Sequence, residues 1–251
     1  MCALYAFSRH ADDLSDNNQP VEVRSATLAS WRTSLERSLE EKFDAPLFPA
    51  LVDTLHRYDI PVQYLYDIID GVEMDLETRR YETFDELSEY CYRVASAVGL
   101  ACIHIWGFNS DEAKEPAIKC GLAFQLTNIL RDLKEDAARE RVYLPLEDLR
   151  RFDYSAEELL NGVRDSRLTE IIRFETDRAE KLYRESATLL DYLHPDGKRA
   201  LTTMMKTYWQ LLAEIGRQSG NPMNGRIHLP THRKLSIAIS AAVGVSKLPI
   251  D

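Results

Sequence analysis

Apolar residues recur three and four apart along almost the whole chain, and runs that alternate apolar with polar are nearly absent. This pattern predicts helices from the start to about Asp16, from Glu22 to Lys42, Pro49 to Tyr58, Pro61 to Leu76 and Phe84 to Trp106. Further helices are predicted from Glu112 to about Arg139, Leu146 to Phe152, Leu168 to Leu193 and Gly197 to about Gln218, with a last one near Arg233 to Val243. The breaks carry their own signals: "DNNQP", "DAPLFP", "HPDG" and "SGNPMNG" combine residues that stop helices and start turns. "TFDE" at Thr83 to Glu86 predicts an N-cap with the acidic third residue of a capping box. Connections this short place neighbouring helices antiparallel around one core. The expected fold class is all-α, a single-domain helical bundle over residues 1–251.

Composition narrows the function more than the fold. Of 251 residues, 45% are hydrophobic and 29% charged, with ten Gly and ten Pro, which fits a globular chain without long linkers. A formal net charge of −10 argues against general nucleic-acid binding, which needs basic surface. An anionic substrate stays open, because a metal ion can reverse the sign locally. Cys2, Cys91, Cys102 and Cys120 have no CxxC spacing and lie in apolar helical segments, so buried free thiols in a reducing cytosol are expected. No apolar run reaches the ~18 residues that span a bilayer, and no signal-peptide pattern opens the chain. A cytoplasmic location is expected, with contact at a membrane surface left open.

Two acidic clusters carry the candidate chemistry. In "YAFSRHADDLSD", Asp12 and Asp16 are four apart and share one side of a helix, with Arg9 a turn before them; Asp13 points away by about 100°. Taken alone, such a pair is most simply a solvated face. The second cluster lies in "GLAFQLTNILRDLKEDAARERVYLP". Gln125, Asn128, Asp132 and Asp136 form one polar stripe, while Leu122, Leu126, Ile129 and Leu133 form the apolar stripe that holds the helix in a core. Short oxygen donors on two facing helices suit magnesium, which keeps waters that substrate phosphate oxygens can replace. Arg9, Arg131, Arg139 and Arg141 flank the stripes, and guanidinium matches phosphate in fork geometry. An internal ion-pair network is the alternative that spacing leaves standing. His10, His56, His104 and His194 have no paired metal-ligand spacing, and no GxSxG or Cys/His pair supports covalent catalysis.

"YAFSRHADDLSD", "EYCYRVASAVG" and "FQLTNILRDLKEDAARERVYLP" together resemble the signature segments of the squalene and phytoene synthase family, in order and over nearly the whole chain. The resemblance implies an isoprenoid (terpenoid) synthase fold with a central cavity, and head-to-head joining of two prenyl diphosphates through a cyclopropyl diphosphate. By position, it implies Asp12 and Asp16 as one set of magnesium ligands and Asn128, Asp132 and Asp136 as the other. It assigns Arg9, Gln125, Arg131, Arg141, Tyr143, Tyr208 and, across a one-residue gap, Arg226 to the diphosphates, and Tyr90 to the chemistry of the intermediate. Arg9, Asp12, Asp132 and Tyr90 are the expected catalytic residues. Family members carry a segment before the first aspartate motif; here that motif starts near residue 5, so the expectation is that this segment is lacking.

The implied chemistry is diphosphate departure assisted by magnesium as a Lewis acid and by arginine charge, leaving a carbocation that must be kept from water. The small residues Ala95, Ser96, Ala97 and Gly99 are expected to make room for a prenyl chain, with Phe124 or Trp106 facing the cation. Tyr90 is expected to position the released diphosphate or assist proton removal; a phenol with a pKa near ~10 is a weak base, so the diphosphate is the alternative acceptor. The leading expectation is a farnesyl-diphosphate farnesyltransferase of squalene-synthase type. Its closest rival is phytoene synthase acting on geranylgeranyl diphosphate. A non-catalytic family member serving as an assembly protein is the rival of a different class, and the intact aspartates count against it. NADPH would serve the reductive second step of the squalene route, although no GxGxxG marks a dinucleotide domain.

Overall fold

The computed structural model describes residues 1–77 and 80–218. Among them are twelve α-helices: α1 (Cys2–Ser15), α2 (Val21–Leu39), α3 (Leu47–Arg57), α4 (Gln63–Met74), α5 (Phe84–Cys91), α6 (Ala97–Trp106), α7 (Lys114–Ala137), α8 (Leu146–Arg151), α9 (Ala156–Leu160), α10 (Ser166–Ser186), α11 (Leu189–Tyr192) and α12 (Pro195–Arg217). No strand occurs among the described residues, only two isolated bridges, Arg80 with Val142 and Phe108 with Leu193. The all-α expectation holds. Arg226 and the helix predicted near 233–243 lie outside the described residues.

α7 is the axis. Its buried residues include Ala117, Cys120, Gly121, Ala123, Leu126, Thr127, Ile129, Leu130 and Leu133, which go almost all the way round the helix. α5, α6, α10 and α12 pack on it and build one apolar core. A second core lies under α1 to α4, where Phe7, Trp31 and Phe48 meet with ring centroids 4.8–5.4 Å apart. Tyr64 on α4 touches both cores. The acidic end of α1 is thereby carried up to the α7 side of the molecule.

Two predicted helices change, and one short helix was not predicted. The helix expected from Phe84 to Trp106 contains a π-turn at Tyr92–Ser96 between α5 and α6. Neighbours crowd that turn. A Cβ on Gly121 of α7 would lie 2.5 Å from the Ser96 Cα, and one on Gly71 of α4 would lie 2.8 Å from the Arg93 Cβ. The Ser96 hydroxyl donates to the Ile118 carbonyl at 2.8 Å. A helix glycine costs about 1 kcal/mol in propensity, and here the close approach of three helices offsets it. The helix expected from Leu168 to Leu193 breaks after Ser186, where the Ala187 amide bonds three residues back to Arg184. α9 was not predicted, although "SAEE" forms a full capping box between Ser155 and Glu158. At "TFDE" only half the predicted box forms: Thr83 accepts from the Glu86 amide, but the Glu86 carboxylate takes the Glu82 amide instead. Cys2 is exposed and Cys102 half-buried, against the expectation of four buried thiols; Cys2 is the first residue of α1, ahead of that helix's apolar stripe. Cys91 and Cys120 are buried and free.

Candidate active site

The acid cleft starts from two helix ends. The last turn of α1 is closed by side chains: Arg24 donates to the Ser15 carbonyl at 2.7 Å, and the Ser15 hydroxyl to that of Asp12 at 2.9 Å. α7 ends in a tight wrap in which the amides of Arg139 and Arg141 both bond to the Asp136 carbonyl. Glu140 makes that wrap possible by taking a left-handed conformation, with φ of 59°. Arg139 then stands 4.0 Å from Asp16 across the gap between α7 and α1. Ser15, Asp16, Asn18, Arg24, Asp75, Leu76, Glu77, Arg139 and Arg141 line a cleft of about 300 Å³.

The two aspartate clusters meet at Asp75, which no motif had indicated. It follows α4 and is half-buried. Its carboxylate accepts hydrogen bonds from Tyr143 at 2.8 Å and Tyr90 at 3.0 Å, and Arg141 donates to its main-chain carbonyl at 3.1 Å. Burial pushes the Asp75 carboxyl upward, opposed by the Tyr143 bond, the Arg141 charge and the Tyr90 bond. Asp12 is exposed near the end of α1; partial desolvation pushes its carboxyl up to about 6 against the pull of Arg9, and repulsion from Asp16, Asp75 and Asp13 adds to the rise. Burial and Asp132 push Asp136 up to about 7 against the pull of Arg141 and Arg139. A bound cation would relieve the mutual repulsion of these carboxylates, which Arg139 and Arg141 already oppose at Asp136.

Other expected residues take specific places. Arg9 pairs with Asp13 at 2.8 Å on the solvent side of α1. Arg131 grips the neighbouring Asp132 with two bonds, Nε to Oδ1 at 2.8 Å and Nη2 to Oδ2 at 2.5 Å. Gln125 and Asn128 lie further down the stripe, joined by a 3.3 Å bond, and the buried Oδ1 of Asn128 has no partner. Tyr90 is 3% exposed and its hydroxyl goes to Asp75. Tyr81, Tyr90 and Tyr143 stack with centroids 5.3–6.3 Å apart.

Below the polar stripe is an apolar cavity of about 220 Å³ between α6, α7, α11 and α12. Gln125 and Asn128 form its polar end, and Phe124, Trp106, Leu201 and Tyr208 are among its walls. Phe124 and Tyr208 stack at 4.5 Å. Of the four small residues expected to make room, Ala95 and Gly99 line this cavity. Ser96 and Ala97 are fully buried in helix packing instead. Both aromatic residues singled out, Phe124 and Trp106, face the cavity.

These donors fit a hard divalent cation: they are all oxygens, several are carboxylates crowded enough to hold protons, and one is an orphaned amide oxygen. Among the described residues, no group of three or more His, Cys, Asp or Glu side chains is placed to hold a metal ion by itself. A divalent ion at these residues would need further ligands, such as phosphate oxygens or water.

An acid cleft and an apolar cavity thus lie near one helix, α7, and the comparisons with known proteins identify the family. The squalene/phytoene synthase family model matches residues 1–233, and the chain belongs to that family. It is 41% identical to the phytoene synthase of Arthrospira platensis over 93% of this chain and 80% of that protein. It is 38% identical to the 15-cis-phytoene synthase of Synechocystis sp. over 93% and 73%. Among solved structures, a dehydrosqualene synthase in complex with ligand superposes with a TM-score of 0.86 at 30% identity, covering 97% of this chain and 85% of that one. Squalene synthase HpnC from Alicyclobacillus acidocaldarius superposes with a TM-score of 0.82 at 28% identity, covering 88% and 83%. The fold is that of the isoprenoid synthases and the enzyme class is prenyltransferase. Among the described residues, no helix is long and apolar enough to cross a membrane.

Proposed function

We propose that this chain joins two molecules of geranylgeranyl diphosphate head to head to form phytoene, releasing diphosphate, with magnesium as the metal. One observation carries the choice of substrate: the relatives at 41% and 38% identity are phytoene synthases, which favours the twenty-carbon rival over the farnesyl reading that led from the sequence. In this reading Asp12, Asp16, Asn128, Asp132 and Asp136 hold magnesium, which when bound neutralises the departing diphosphate. Arg131, Arg139 and Arg141 supply fixed positive charge beside it. The apolar cavity keeps the prenyl chain and the allylic cation from water, and Phe124 presents a π face worth roughly 1–2 kcal/mol to a desolvated cation. Phytoene formation ends in loss of a proton instead of gain of hydride, so NADPH drops out. Release of so apolar a product gives contact with a membrane surface a purpose.

The test is direct. The purified chain is incubated with magnesium and labelled farnesyl or geranylgeranyl diphosphate, and the extracted lipid is sized. A forty-carbon hydrocarbon formed without NADPH is expected. A thirty-carbon product alone would overturn the substrate, and no condensation from either diphosphate would favour the assembly-protein reading.

A further inference from the structure

We propose that Asp75 is a positioning residue for the head-to-head reaction: it holds the Tyr90 and Tyr143 hydroxyls and the Arg141 guanidinium as one rigid unit at the floor of the acid cleft. The proposal rests on the function proposed above and names a residue outside both aspartate motifs. Each carboxylate oxygen of Asp75 takes one phenol, Oδ1 from Tyr143 and Oδ2 from Tyr90, while its carbonyl takes Arg141. Both phenol protons are thereby committed, so the remaining lone pairs on the two oxygens have a fixed direction. Main-chain bonds set the far side of the unit: the Leu146 amide reaches the Tyr81 carbonyl, and Arg80 bridges to Val142. The two tyrosines and the arginine thus come from segments more than 50 residues apart and converge on one side chain.

A carboxylate is a poor structural choice at this position. It stands at the C-terminus of α4, where the helix dipole disfavours negative charge. It is half-buried and repelled by Asp16. Asparagine would cap the helix end and bond one phenol at lower cost in desolvation. A residue that lowers stability at a site while organising three functional side chains fits a trade of stability for activity.

The trade gives the test. Asp75→Asn should melt at the same temperature as the parent or higher, while kcat falls about 10- to 100-fold, as small misplacements in active sites do. KM for the prenyl diphosphate should stay within about threefold, because Arg141 is held by a main-chain carbonyl that the substitution keeps. In a Tyr90→Phe background the same change should cost less than about threefold, since the group it acts through is gone. An unchanged kcat, or a lower melting temperature with unchanged kcat per folded molecule, would overturn the proposal. So would additive losses in the double variant. A second readout needs no turnover: isotope-edited infrared spectra of the tyrosine C–O stretch, with bands assigned by Tyr90→Phe and Tyr143→Phe. Asp75→Asn should shift both bands, and unshifted bands overturn the assignment. Should the parent itself make no prenyl product, the function reading fails while the infrared result still decides the role of Asp75.

Discussion

The sharpest perturbation of the cavity is at Gly99. A Cβ built there meets only the Ala117 carbonyl oxygen, at 3.9 Å, and the residue lines the apolar cavity. Gly99→Ala should therefore stabilise the protein by about 0.5–1 kcal/mol through helix propensity alone. Gly99→Leu would put four carbons where a prenyl chain should lie and displace about as many substrate carbons. At about 0.8 kcal/mol per buried carbon the loss is about 3 kcal/mol, or roughly two powers of ten in kcat/KM for the twenty-carbon substrate. A fifteen-carbon chain leaves more of the cavity unfilled and should lose less. Gly121 lines the same cavity but is the opposite case, because its Cβ would strike the Ser96 backbone at 2.5 Å. Gly121→Ala should cost about 1–3 kcal/mol by overpacking and lower the melting temperature by several degrees. Steady-state diphosphate release and thermal melts on the three variants decide the matter. A Gly99→Leu protein that melts like its parent and keeps full kcat/KM on both substrates would refute the cavity as the prenyl site.

Asp136→Asn should abolish magnesium-dependent turnover yet raise the melting temperature of the metal-free protein at pH 8, where the crowded carboxylates are charged; an unchanged magnesium affinity by calorimetry would count against the ligand assignment. Folded-state values of about 6 for Asp12 and about 7 for Asp136 lie above the unfolded range, so the native state holds the extra protons. Metal-free stability should accordingly fall as pH rises from about 4 through about 7, and melts across that window should flatten in Asp136→Asn. Arg178 bonds to both Asp148 and Glu175 at 2.6–2.9 Å, and Arg178→Met should cost about 3–5 kcal/mol by stranding the buried Asp148 carboxylate and leaving Glu175 without its donor, read by chemical denaturation. Thr83→Ala should cost about 1 kcal/mol through loss of the α5 cap, seen as a shift in the same denaturation midpoint.

The bundle was legible because its stripes are periodic: Leu126, Ile129 and Leu133 turn inward where spacing put them. The π-turn was not, because it depends on how closely α4 and α7 approach Ser96 and Arg93, and the local pattern of Phe84 to Trp106 is plain helix. α9 was missed through its length of five residues, although its capping box was present in the sequence. For the proposed site, spacing within a helix singled out Asp12, Asp16, Asn128, Asp132 and Asp136 as candidates, and the family resemblance gave them the metal role. Asp75 and Arg24 escaped because each enters the cleft singly, from a helix end or the start of a helix, with no partner at helical spacing. Partner choice was also invisible: Arg9 turns to Asp13, and Arg131 turns to Asp132, its own neighbour.

One helix joins the two halves of the proposed site. From Gln125 to Asp136 the polar stripe of α7 climbs about 16 Å at 1.5 Å per residue, from the end of a dry cavity to a cleft crowded with acid. A rigid helix fixes that distance, and a prenyl diphosphate needs just such a pairing of greasy tail and charged head. Destabilising features gather along this stripe and at its charged end: an orphaned Asn128 oxygen, crowded carboxylates with raised pKa values, and an aspartate at the end of α4. The buried charge elsewhere behaves differently. Asp148 and Glu175 share the Arg178 guanidinium, and burial with one surplus acid lifts Glu175 to about 8, so a retained proton balances that cluster internally. The cleft instead spreads its charge over several partners, with Asp16, Asp75 and Glu77 beside Arg24, Arg139 and Arg141. Departures from the rules of stability that coincide point to where function is to be sought, and crowded carboxylates and a C-terminal aspartate coincide between the ends of α1, α4 and α7.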